Sequence, residues 1–196
     1  SDLLQSTRYA PAARFFLEEL YGPGDFSRRD AQFARVVPAL VRLFPREIVD
    51  TVGVLGELHA LSESLDTAMA LHLGSENPEA RDYVRAWNLV GQPAARDRQI
   101  VLTLDVGASL DRLTRKPLVR RALHLMRAPA QASGLGELQA FLESGFDTFQ
   151  AMKGAEEFLL IVSQREHKLA AALFASHAGA KEAGAWDWEA LSIDLP

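Results

Sequence analysis

Residues 46–73, REIVDTVGVLGELHALSESLDTAMALHL, decide the fold class. Ile48, Val52, Leu55, Leu58, Leu61, Leu65, Met69 and Leu73 recur at three- and four-residue intervals. That spacing lines them along one face of an α-helix and does not fit the two-residue alternation of a strand. Pro45 precedes the run and Gly74-Ser75 follows it, so the punctuation predicts one helix over 46–73, long enough to serve as a central strut.

The flanking segments carry the same period. Phe16, Leu17 and Leu20 share a face in a predicted helix over 7–21, which Gly22-Pro23-Gly24 ends. Ser27, with Asp30 in the first turn, caps a helix through Phe33, Val37, Leu40, Val41 and Phe44 that Pro38 is expected to kink. Beyond 73, Asn77-Pro78 opens a short helix bearing Tyr83, Trp87 and Leu89, and Gly91-Gln92-Pro93 closes it. A helix over 94–115 presents Ile100, Val101, Leu104, Val106, Leu110 and Leu113. Lys116-Pro117 starts the next, with Leu118, Val119, Ala122, Leu123 and Met126 expected to face inward. Helices over 135–152 and 155–176 follow, with cores of Leu138, Leu142, Phe146 and Phe149, and of Phe158, Val162, Leu169 and Leu173. The expectation is an all-α, compact single-domain bundle of seven to eight helices over 1–176. A linker and a tryptophan-bearing acidic tail occupy 177–196 and read as a docking tail.

Composition narrows the function classes. The chain has 196 residues, enough for one well-buried core, and its 48% hydrophobic and 24% charged content is that of an ordinary globular protein. Cysteine is absent, which excludes disulfides, thiolate metal sites and a cysteine nucleophile. No apolar run approaches the roughly 18 residues of a membrane span, and a cytoplasmic location is expected. The net charge of -5 counts against nucleic acid as a partner.

Residues 14–30, RFFLEELYGPGDFSRRD, pack four aromatics among a dense set of charges. The run resembles the hallmark of an uncharacterised bacterial protein family called after its FFLEELY motif. The resemblance implies membership of a family with no known activity, substrate or cofactor, and it assigns no catalytic residue. Read from the residues, the motif is either a helix wedged between two layers or one wall of a partner or ligand groove lined by Phe15, Tyr21 and Phe26.

Four further constellations carry chemistry. Between residues 112 and 127 lie Arg112, Arg115, Lys116, Arg120, Arg121, His124 and Arg127, without one acid. On a helix Lys116, Arg120, His124 and Arg127 form a cationic face suited to phosphates or an acidic partner, unless neighbouring acids balance it. His59, Ser62, Glu63 and Asp66 make a polar row in which imidazole and carboxylate are one turn apart, but no matching pair occurs on another helix and no metal site is assigned. His124 also stands where a globin-like bundle would place a haem ligand, with a solvent-edge histidine as the plainer reading. Asp105 sits among apolar sequence neighbours, which suggests a half-buried carboxylate paired to Arg98 or Arg112.

These features favour a recognition module for a protein partner or a small anionic or apolar ligand, with no cofactor. Candidate contact residues are Phe15, Tyr21, Phe26, Lys116, Arg120, Arg121, His124, Arg127, Trp186 and Trp188, and a homodimer is compatible with them. Trp186 and Trp188 are too apolar for open water, and Asp187, Glu189 and Asp194 have the sign to meet the cationic helix. The alternative is a carboxylate-based enzyme, or a metal- or haem-binding helical protein.

Overall fold

The computed structural model describes residues 2–20, 27–43, 45–73 and 79–179. Among them the protein is all-α, with no strand. The helices are α1 (Asp2–Gln5), α2 (Ala10–Phe15, continued as a π-helical turn over Phe16–Leu20), α3 (Ser27–Leu43) and α4 (Arg46–Leu73). They are followed by α5 (Ala80–Val90), α6 (Pro93–Thr114), α7 (Pro117–Ala132), α8 (Gly136–Met152) and α9 (Glu156–Gly179). Helix α4 has the limits its leucine stripe predicts. Helix α5 begins on a capping box in which the Glu79 backbone N–H donates to Asp82 Oδ2 at 3.2 Å. The expected Asn77-Pro78 start and Gly74-Ser75 stop lie outside the described residues.

Contacts group the described chain into two compact units, one from residues 2–52 and 107–158, the other from 53–106 and 159–179. In the first unit α8 packs against α2, α3 and α7. Its core is aromatic. Phe15 stacks on Phe141 with ring centroids 5.5 Å apart and meets Phe16 edge-on, and Phe16 in turn packs against Phe149 and Phe158. Neighbouring residues of a helix point about 100° apart, so burying Phe15 and Phe16 together with Ala12 and Ala13 means that α2 is covered over a wide arc. Gly145 of α8 accommodates the Phe15 ring: a Cβ there would lie 3.0 Å from Phe15 Cζ.

Polar groups close the ends of these helices. Leu138 N–H, one of the orphan donors of the first turn of α8, is capped by Gln32 Oε1 at 2.9 Å. The turn from α8 to α9 uses left-handed backbone at Lys153 (φ 54°) and at Gly154 (φ 120°), the latter a conformation open only to glycine. Arg8 holds this turn by donating to the carbonyls of Met152 (2.8 Å) and Gly154 (3.0 Å). Tyr9 donates its hydroxyl to Glu157 at 2.5 Å, a bond that keeps the phenol protonated and raises its pKa.

The second unit has a core of Met69, Val84, Ala86, Trp87 and Leu173, flanked by Leu73, Val90, Leu169, Ala170 and Phe174. Asn88 ties α5 to α9 by donating to the carbonyl oxygens of Val84 and Leu173, both at 2.9 Å. Arg98 pairs with Glu57 at 2.7 Å, and Gln99 donates to Ser62 at 2.8 Å.

Three expected core assignments are corrected. Leu118 is exposed and Met126 partly so, because α7 turns Val119, Ala122, Leu123 and Ala130 inward. Leu142 lies at the surface of α8, and Leu102, outside the expected stripe, is buried in α6 at 1% exposed. Asp105 is exposed. Its apolar sequence neighbours fall on other faces of the helix, and Arg98 and Arg112 engage Glu57 and Ser109 instead.

Candidate functional site

Helix α7 starts on Pro117, whose missing N–H costs nothing at the first helical position, and it contains no acid. Its inner row of small and branched residues packs on α8, and the rest of its surface faces solvent. Leu118 is 75% exposed and Leu125 77%. One heptad separates them, with Arg121 between them on the same face and Met126 beside them.

Acids of α4 and α8 neutralise much of the cationic face. Lys116 pairs with Glu47, Arg120 lies 3.2 Å from Asp147, and Arg127 grips Glu143 through Nε and Nη2 at 2.6–2.8 Å. Those hydrogen bonds from Arg127 hold the Glu143 carboxyl below its ordinary range, against the opposing effect of its partial burial. Gln139 fixes the arrangement, donating to Glu143 at 2.8 Å and to the Leu123 carbonyl at 2.7 Å. Arg121 and His124 have no ion-pair or hydrogen-bond partner among the described residues; Arg121 lies on the face of Leu118 and Leu125, while His124 points elsewhere and acts electrostatically on Glu143.

A cleft of about 310 Å³ adjoins this face, lined in part by Arg115, Pro117, Arg120, Arg121 and His124. Thr114, Arg115 and Gln150 are shared with a neighbouring cleft of about 360 Å³ that reaches Asp111, Lys153 and Gly154. Asp111 is the buried carboxylate of α6, and sequence reasoning passed over it. It is 7% exposed, accepts from Arg115 at 2.6 Å through one oxygen and from the Ala155 backbone N–H at 3.1 Å through the other, and so caps the start of α9. Its signal in the sequence is Arg115 one helical turn later.

Phe15 is buried in the aromatic core. Tyr21, Phe26, Trp186 and Trp188 lie outside the described residues. His59, Glu63 and Asp66 are exposed on α4, and Ser62 is engaged by Gln99. No three His, Asp or Glu side chains among the described residues are grouped to hold a metal ion. His124 stands exposed on α7. No helix among the described residues is long and apolar enough to cross a membrane.

Residues 1–180 match the family described as a domain of unknown function, DUF8198, and the chain belongs to it. No curated protein and no solved structure matches the chain.

Proposed function

We propose that the protein is a recognition module that binds an acidic, partly apolar protein segment across the outer face of α7. The observation that carries this reading is the exposed pair Leu118 and Leu125 around Arg121, which has no ion-pair partner among the described residues. Fully covering a leucine is worth about 1.5–3 kcal/mol, whereas an exposed ion pair contributes about 0.2–1 kcal/mol. The leucines therefore supply the affinity, while Arg121 and His124 select the sign of the partner. Two copies of this acid-free face would bring like charges together, which counts against self-association through it.

Within this chain the segment of matching chemistry is 185–196, AWDWEALSIDLP, with two tryptophans and three acids. A labelled peptide of that sequence is a defined probe, read by fluorescence anisotropy against the full chain. Binding that weakens with salt, and about tenfold in Arg121→Glu and Leu125→Ser, is the expected result. If the chain's own segment already occupies the face, the peptide is excluded. The indole resonances of Trp186 and Trp188 then move when Leu125→Ser is introduced. No peptide binding at about 1 mM together with unmoved indoles would overturn the proposal.

A further inference from the structure

Arg96, on α6 in the second unit, is 7% exposed, yet no carboxylate among the described residues lies within ion-pair distance of it. Its guanidinium carbon lies over the Trp87 ring, 4.0 Å from the centroid, and Nη1 donates to Gln99 Oε1 at 3.2 Å. Gln99 is oriented in turn by its bond to Ser62. Two donors remain buried without acceptors, Arg96 Nε and Trp87 Nε1.

Asp66 acts on this guanidinium electrostatically from beyond ion-pair distance, yet both orphan donors lack an acceptor, and buried polar groups are normally paired. Both orphan groups donate only, so the complement they lack is an acceptor, and a negatively charged one best answers the guanidinium. The indole covers one side of the arginine while Nε stays without an acceptor, and a guanidinium on an aromatic platform is suited to carboxylates and phosphates.

We propose that the Arg96–Trp87 pair is a binding subsite for a small oxyanion, a carboxylate or a phosphate. Tyr83 borders the pair, 42% exposed with its ring centroid 6.1 Å from that of Trp87. Burial raises the pKa of the Asp66 carboxyl and the Arg96 charge lowers it, so an anion bound at Arg96 would raise it further. The subsite does not depend on the face of α7.

The test uses the full chain labelled with nitrogen-15 and follows the indole N–H resonance of Trp87, assigned by its loss in Trp87→Phe. Sodium phosphate and sodium acetate are titrated separately against sodium chloride at matched ionic strength. The expected result is a saturable shift with half-saturation on the order of 1 mM for at least one of the two anions, and the responsive arm identifies the class. Arg96→Gln should raise half-saturation about tenfold or more, while Arg96→Lys, which keeps the charge, should retain part of the response. A Trp87 resonance that stays still in both titrations, or drifts as it does in chloride, would overturn the subsite. So would an Arg96→Gln protein that saturates like the wild type. Should Arg96→Gln fail to fold, the wild-type titration decides alone.

Discussion

Replacing Gly145 by alanine tests whether the Phe15 ring is seated on α8. In an open helix interior, glycine to alanine adds about 1 kcal/mol of stability, because alanine has less backbone freedom to lose on folding. Gly53 of α4 offers that situation: it is exposed, and a Cβ there would meet nothing within 4 Å. At Gly145 the new methyl would stand 3.0, 3.6 and 3.7 Å from three atoms of the Phe15 ring. The ring must retreat by a few tenths of an ångström, but Phe141 and Phe16 already hold it on two sides. Overpacking of this kind costs about 1–3 kcal/mol. Set against the helix gain of about 1 kcal/mol, Gly145→Ala should be neutral or destabilising by up to about 2 kcal/mol. Urea denaturation followed by far-ultraviolet circular dichroism should separate the two variants by about 1–3 kcal/mol, with Gly53→Ala the more stable. Adding Phe15→Leu to Gly145→Ala should recover part of the loss, since the shorter side chain vacates the contact. A Gly145→Ala protein as stabilised as Gly53→Ala would show that Phe15 is not seated there.

Other substitutions probe the same core and its polar supports. Phe16→Ala should cost about 3–5 kcal/mol by denaturation, since its ring meets those of Phe15, Phe149 and Phe158; a loss below about 1 kcal/mol would make the opening helix peripheral. Asp111→Ala should cost about 1–3 kcal/mol by leaving the Ala155 N–H without its acceptor, and hydrogen exchange at Ala155 should quicken. Burial raises the Glu166 carboxyl above 4.5, partly countered by His167, so its ionised form disfavours the fold at neutral pH. A raised carboxylate contributes stability below its unfolded pKa and loses it as pH rises through the folded one, so Glu166→Gln should stabilise at pH 7 by thermal unfolding, with the gain vanishing in acid.

The helical class was legible because burial on a helix repeats at a period that 46–73 displays over many turns, and no tertiary contact was needed to see it. The direction in which α7 turns was harder. Its apolar residues, Leu118, Val119, Ala122, Leu123, Leu125 and Met126, span an arc of about 160° at 100° per residue, wider than the strip that α8 covers. Only the neighbour decides which arc is covered, and α8 took the arc of Val119 and Leu123. The π-turn over Phe16–Leu20 has no composition of its own, and it became visible only once Phe15 and Phe16 were both buried against other aromatics.

The polar sites followed the same logic with the opposite outcome. Asp105 drew notice because of its neighbours along the chain, but neighbours along a helix point in different directions, so apolar flanks say little about a carboxylate's own face. Asp111 is buried because the start of α9 arrives above it, a partner more than 40 residues away. Arg96 was the least legible of all, since Ala94-Ala95-Arg96-Asp97-Arg98 reads as a solvated charge run. Its two neighbours kept that reading: Asp97 meets His167 and Arg98 meets Glu57, both at half-exposed positions. Arg96 alone packs over Trp87 of α5, and one helix turn thus holds two ordinary surface charges beside one buried cation with no carboxylate within ion-pair distance among the described residues. The fold sets that cation apart from its neighbours through the indole beneath it, and the oxyanion subsite proposed for it rests on that separation.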